Sequence, residues 1–224
     1  MFIKSIDKTN IFYNVIGSGP NLILLHGFGN DQNMWLETGW VELLKKYFSV
    51  VLIDIRGCGN SDKPEEIAAY SIENHLLDID GVLKEIRGNN PIIWGWSLGA
   101  TIAMHYASKR NVKLSIVCGS YFGLIFSKEF TGKKLSTTND PVKIARMKAF
   151  CQWPIVYPYQ MRNPFFIYTG TDDGNVAVQL RTQQKDIETA KGKFKIFDGL
   201  DHYGLIKRID IVKNDVINFI SQSQ

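Results

Sequence analysis

Cysteine is scarce in this chain, and the three present, Cys58, Cys118 and Cys151, stand far apart. An odd number at wide spacing excludes a disulfide framework and matches no zinc-binding pattern, so free thiols are expected. Long apolar runs are also missing. Stretches such as Leu22–Leu25 and Val50–Ile53 are strand-sized, against the roughly 18 residues that a bilayer-spanning helix needs. The first residues, Met1-Phe2-Ile3-Lys4-Ser5-Ile6-Asp7, do not run from a basic segment through an apolar one to a small-residue cleavage site. A cytoplasmic protein without a membrane partner is the expectation. Excess charge is small, +4 in all, and no reader motif accompanies it, so no nucleic acid is expected as a partner. Gly132-Lys133-Lys134 lacks the hydroxyl residue and upstream glycine of a phosphate-binding loop.

What the chain does have is alternation. Apolar runs at Ile11–Ile16, Leu22–Leu25, Val50–Ile53, Pro91–Trp94, Lys113–Cys118, Phe165–Tyr168 and Phe194–Phe197 are separated mostly by amphipathic stretches. The pattern predicts helices near Gln32–Lys46, Ile72–Arg87, Leu98–Lys109, Val176–Ala190 and Leu205–Ser221. Strands alternating with helices build a mostly parallel sheet covered on both faces, and the first two runs are close enough for an antiparallel hairpin. At 224 residues and 45% hydrophobic, the chain fits one α/β domain over 1–224.

Between Cys118 and Phe165 the alternation lapses. Four prolines (Pro141, Pro154, Pro158, Pro164) and a weak helical pattern at Val142–Phe150 mark an insertion, taken as 121–163, over the sheet edge. Ligand crevices of open α/β sheets lie beyond the carboxyl ends of the strands, so a segment leaving one such end is placed to roof the crevice as a short cap. The stretch holds Lys128, Lys133, Lys134, Lys143, Arg146, Lys148 and Arg162 against Glu129 and Asp140. It reads first as a solvated face, and second as a surface for an acidic partner. Its aromatics, Tyr121, Phe122, Phe126, Phe130, Phe150, Trp153, Tyr157 and Tyr159, either line an apolar pocket or form a small core.

The sharpest motif is Gly95-Trp96-Ser97-Leu98-Gly99, set between the run Pro91-Ile92-Ile93-Trp94 and the small-residue helix pattern Ala100, Ala103, Ala107. A strand turning abruptly into a helix strains its turning residue, and glycines on either side remove the side chains that would collide. Ser97 is thereby presented as a nucleophile, with the Leu98 N–H opening the helix as a donor for developing negative charge.

A serine nucleophile needs a base, and histidine titrates near neutrality. His75 and His105 fall inside helical patterns and read as structural, and His26 beside Gly27 reads as shaping a turn. His202, in Gly199-Leu200-Asp201-His202-Tyr203-Gly204, follows the last strand and can be delivered over the sheet. The carboxylate that orients it is Asp172 or Asp173, both beyond Phe165–Tyr168 and Gly170. The other of the two would cap the following helix. A second oxyanion donor comes from His26-Gly27-Phe28-Gly29, where the glycines permit close backbone approach and the Phe28 N–H is the choice.

With these motifs assembled, the chain resembles α/β-hydrolase-fold serine hydrolases over nearly its whole length. His26-Gly27-Phe28-Gly29 matches the oxyanion strand exit, Asp54-Ile55-Arg56-Gly57-Cys58-Gly59-Asn60-Ser61 a structural glycine-rich loop, and Gly95–Gly99 the nucleophile elbow. Gly170-Thr171-Asp172-Asp173 matches the acid turn and favours Asp173, while Asp201-His202 stands where the family normally has glycine-histidine. The order Ser97, Asp173, His202 also agrees.

The resemblance implies an α/β-hydrolase fold, hydrolysis of a small or short-chain carboxylic ester through an acyl-enzyme on Ser97, and no metal or cofactor. Trp94-Gly95-Trp96-Ser97-Leu98-Gly99-Ala100 is similar to the elbow of pimeloyl-carrier-protein methyl ester esterases. That alternative implies an acidic carrier protein at the basic cap. A non-hydrolytic receptor or lyase on the same scaffold is the competing class, since a fold does not fix a function.

Overall fold

The computed structural model describes residues 1–123, 131–132 and 135–222. Phe126, Phe130, Lys128, Glu129, Lys133 and Lys134 lie outside the described residues.

Eight strands form one sheet in the order β1-β2-β4-β3-β5-β6-β7-β8. They are β1 (Phe2–Lys4), β2 (Asn10–Ile16), β3 (Asn21–Leu25), β4 (Ser49–Ile53), β5 (Ile92–Trp96), β6 (Leu114–Cys118), β7 (Phe165–Gly170) and β8 (Lys193–Phe197). From β4 to β8 every pairing is parallel, whereas β2 runs antiparallel to both β1 and β4. The expected hairpin between the first two apolar runs does not form. β2 pairs with β4 instead, and the hairpin partner is β1, too short to register as an apolar run.

Successive residues of the central strands enter opposite cores, as a sheet covered on both faces requires. Ile23, Leu25, Val51, Ile53, Ile93 and Val117 join one cluster, while Leu22, Leu24, Val50, Leu52, Trp94 and Ile116 join the other. Helices α3 (Ile72–Glu85), α4 (Leu98–Lys109) and α6 (Gly174–Thr189) supply residues to the first. Helices α1 (Asn33–Glu37), α2 (Trp40–Leu44), α7 (Gly204–Lys207) and α8 (Ile209–Gln222) supply the second. On α8 the stripe is Val212, Val216, Phe219 and Ile220, the spacing of one helical face.

Two expected helices are broken. Gln32–Lys46 divides at Gly39, whose φ of 83° is left-handed, into α1 and α2. Leu205–Ser221 divides at Arg208 into α7 and α8.

The loop after β4 is held by buried charge. The Arg56 guanidinium pairs with Asp78 at 2.6 Å and Asp7 at 2.7 Å and also donates to the Ala69 carbonyl. Between β6 and β7, α5 (Pro141–Phe150) is capped by Asp140, whose Oδ1 accepts from the N–H groups of Val142 and Lys143. Phe122, Phe150 and Trp153 from this segment join the core, whereas Tyr157 and Tyr159 stack on one another in solvent. Arg146 departs from the solvated-face expectation. It is buried, with its guanidinium over the Phe28 ring at 4.4 Å and donating to Gly57 O and Cys58 Sγ. Burial pushes the Cys58 thiol up, which suits a loop filler rather than a nucleophile. None of the three cysteines is in a disulfide among the described residues.

Candidate functional site

Ser97 stands between β5 and α4, at the N-cap position of the helix, with φ 57° and ψ −115°, a conformation L-residues rarely adopt. The flanking glycines make it possible. A Cβ on Gly95 would run into the Gly99 carbonyl, and one on Gly99 into the carbonyls of Leu25 and His26. The Ser97 N–H donates to Cys118 O at 2.8 Å, continuing the β5–β6 ladder. Its half-buried hydroxyl forms no hydrogen bond among the described residues. Leu98 is the first residue of α4, so its N–H has no partner within the helix.

The loop leaving β3 passes alongside. A Cβ on Gly27 would lie 3.2 Å from Ser97 Cβ, and Gly29 is left-handed at φ 79°. His26 anchors this loop. Its Nδ1 bonds to Gly27 O at 2.8 Å, and its Nε2 accepts from the Ile55 N–H at 3.0 Å, which fixes the Nδ1–H tautomer. Burial pushes its pKa down to about 4, so the ring is neutral and tied to backbone on both sides.

His202 arrives on the loop between β8 and α7. Its Nδ1 meets Asp173 Oδ1 at 2.8 Å; the imidazole side chain is 33% exposed and the carboxylate 5%. Since a carboxylate only accepts, Nδ1 carries the hydrogen and Nε2 is left facing outward from the pair. The ring rests on Gly119, where a Cβ would lie 3.1 Å from His202 Cε1. Gly119 directly follows the carbonyl that receives the Ser97 N–H, so the imidazole stands beside the elbow.

Of the two carboxylate candidates, Asp172 is exposed and accepts from Thr171 Oγ1, whereas Asp173 is buried and faces His202. Neither caps α6. Asp173 occupies the N-cap position, but its side chain makes no capping bond. Asp201, standing where glycine is usual in the resembled family, accepts from the Gly204 N–H at 2.6 Å and so starts α7.

Neither His75 nor His105 is hydrogen-bonded to Ser97, Asp173 or His202 among the described residues. His75 bonds Ser71 O and packs on Trp153, and His105 lies in the same aromatic group; burial pushes them down to about 3 and about 4. Two residues beside the pair carry no signal of their own in the sequence. Thr169 donates to Asp173 Oδ2 at 2.7 Å, and Trp96 packs on the His202 ring. Among the described residues no group of three or more His, Cys, Asp or Glu side chains could hold a metal ion. No helix there is long and apolar enough to cross a membrane.

A family model described as the α/β hydrolase fold matches residues 20–121. A pimeloyl-[acyl-carrier protein] methyl ester esterase from Vibrio campbellii is 35% identical over 111 residues, 48% of this chain and 39% of that protein. The match thus spans about two fifths of that relative's length. Among solved structures, an esterase from Exiguobacterium antarcticum superposes with a TM-score of 0.80 at 20% identity, covering 98% of this chain and 99% of that one. The enol-lactonase from Burkholderia xenovorans gives a TM-score of 0.80 at 17% identity, covering 99% and 100%.

Proposed function

We propose that this chain, which has the α/β-hydrolase fold, is a serine hydrolase that cleaves a small or short-chain carboxylic ester. The observation that carries the reading is the buried Asp173 carboxylate bound to Nδ1 of a partly exposed His202, beside a serine held at positive φ. His202 Nε2 takes the Ser97 proton as Oγ bonds to the ester carbonyl carbon, and the carbonyl oxygen becomes an oxyanion received by the Phe28 and Leu98 amides. Collapse breaks the bond to the alcohol oxygen, which leaves with the proton from Nε2, and the acyl group stays on Ser97. Water then attacks, losing its proton to Nε2, and the second collapse returns that proton to Ser97 Oγ as the acid leaves. Asp173 stays ionised throughout and stabilises the transient imidazolium. No cofactor or metal takes part in these steps.

The 121–163 segment, in this reading, is a short cap over the crevice. Its basic character and the 35% identity to the Vibrio campbellii carrier-protein esterase favour a second reading, in which the ester is presented by an acidic carrier protein. A receptor on this scaffold would instead release product below one equivalent. Turnover of p-nitrophenyl esters by wild-type and Ser97→Ala protein tests the assignment. Multiple turnovers abolished by the substitution support it, and activity near the wild-type level in Ser97→Ala excludes Ser97. A panel that includes carrier-bound methyl esters separates the two substrate readings.

A further inference from the structure

One hydrogen bond fixes the direction of an imidazole but not its plane. His202 is bonded to Asp173 through Nδ1 alone and is 33% exposed, so a second constraint must set the tilt of the ring and the place of Nε2. Trp96, the residue before Ser97, is in position to supply it. Its indole N–H donates to the His202 carbonyl at 3.0 Å, and its ring lies 4.9 Å from the imidazole centroid at 39°. Tyr203 packs on the same indole at 5.1 Å, with the Lys207 ammonium 5.3 Å above the Tyr203 ring. The benzo edge of the indole meets the other loop of the site, since a Cβ on Gly27 would lie 2.5 Å from Trp96 Cζ3.

Trp96 is itself rigid. Its backbone is paired to Cys118 within the sheet, and it is 2% exposed. A side chain so enclosed is not a surface for substrate; it acts through what it touches. We infer that Trp96 is the positioning residue for His202, holding the loop by its N–H and the imidazole plane by its ring, and so setting the base at a fixed height over the elbow. This rests on the reading of His202 as the general base. It explains why a bulky indole stands beside the elbow, where a small residue would take away the donor to the His202 carbonyl and the ring packed on its imidazole, and leave Gly27 an empty flank.

The charged groups around His202 are Asp173 from the exit of β7, Asp201 held by the Gly204 N–H, and Lys207 across Tyr203. Gly119 and Trp96 bring none. His26, His75 and His105 are pushed down to about 4, 3 and 4, so none of them titrates near neutral pH.

In ester turnover, Trp96→Leu is expected to lower kcat about 10²-fold, the cost of a misplaced catalytic group. KM should stay within about twofold, because the group lost acts in the transition state and not in substrate binding. Trp96→Phe, which keeps a ring face, should recover part of kcat. Wild-type kcat in Trp96→Leu, or a kcat in Trp96→Phe no higher than in Trp96→Leu, would each overturn the inference. Ser97→Ala is measured alongside. If it still turns over, the hydrolase reading falls and takes this one with it; if it is inactive while Trp96→Leu is not, only the role of Trp96 falls. Should Trp96→Leu fail to fold, Trp96→Phe decides the matter: a lowered kcat at unchanged KM supports the inference, and wild-type kcat overturns it.

Discussion

Thr169 Oγ1 donates to Asp173 Oδ2 at 2.7 Å, while the other oxygen of the same buried carboxylate, Oδ1, receives His202 Nδ1 at 2.8 Å. The two bonds divide the carboxylate between a fixed strand residue and a loop histidine, so Thr169 sets the orientation that His202 reads.

Thr169→Val removes a hydrogen bond to a charged, buried oxygen at constant volume. Such bonds contribute about 1.5–3 kcal/mol, and the carboxylate is then free to turn from His202. We predict kcat/KM for a p-nitrophenyl ester lowered about tenfold, a loss of ~1.4 kcal/mol of transition-state stabilisation, and largely restored in Thr169→Ser. Unchanged kinetics would show that Asp173 is oriented by its backbone alone.

Acid should weaken the fold before its carboxylates titrate. His26, His75 and His105 have folded pKa values near 4, 3 and 4, pushed down by burial. In the unfolded chain histidine titrates near ~6.5. A depressed folded pKa means that the unfolded state binds more protons, so this stability is present above about pH 6.5 and is lost as pH falls toward 4. We predict that the urea midpoint falls by an amount equivalent to several kcal/mol over that window. The fall should be smaller in His105→Phe, which removes one of the three groups. A flat midpoint from pH 6.5 to 4 contradicts the burial argument.

Ser97 carries its positive φ at a cost. Residues held in such regions lose of order 1–3 kcal/mol, and glycine does not. Ser97→Gly should therefore raise unfolding stability by about 1 kcal/mol, once the extra chain entropy of glycine is deducted, while abolishing ester turnover. Chemical denaturation read beside Ser97→Ala checks this, because alanine keeps the strain and should gain nothing.

Arg56 is fully buried between Asp78 and Asp7. Removing one partner leaves a charge without compensation, an effect of about 3–5 kcal/mol. Asp78→Ala should be destabilised by that order in urea unfolding, and Asp7→Ala, whose carboxylate is partly exposed, by less. Equal losses would mean that the solvent-facing pair holds the loop after β4 as firmly as the buried one.

Much of the architecture is legible in the sequence because it rests on local rules. The central strands are apolar runs with turn residues at their ends, α4 from Leu98 to Lys109 follows from its small-residue pattern, and the positive φ of Ser97 follows from its two glycines. The failures have local causes too. Gly39 sits inside an amphipathic pattern that hides its left-handed conformation, so one helix reads where two exist. β1 is three residues long and too short for periodicity to show, which leaves the β2 pairing misread. The residues by themselves leave Asp172 and Asp173 open and the family resemblance favours Asp173; the packing on Thr169 and His202 displays the reason, since the choice turns on which side chain points inward at a turn. Arg146 reads as one more surface cation because its partners, the Phe28 ring and the Gly57 carbonyl, are about 90 residues or more away in sequence. Trp96 lies within the most visible motif of the chain, but its contact with residue 202 is a product of topology.

The proposed ester cleavage requires Ser97 to be an activated nucleophile, and covalent labelling reads this without any choice of substrate. Intact-mass and peptide-level analysis after fluorophosphonate treatment should find one adduct per chain on Ser97, absent in Ser97→Ala and strongly slowed in His202→Asn. An unlabelled Ser97 in folded protein that still turns over esters, or labelling at full rate without His202, would contradict it.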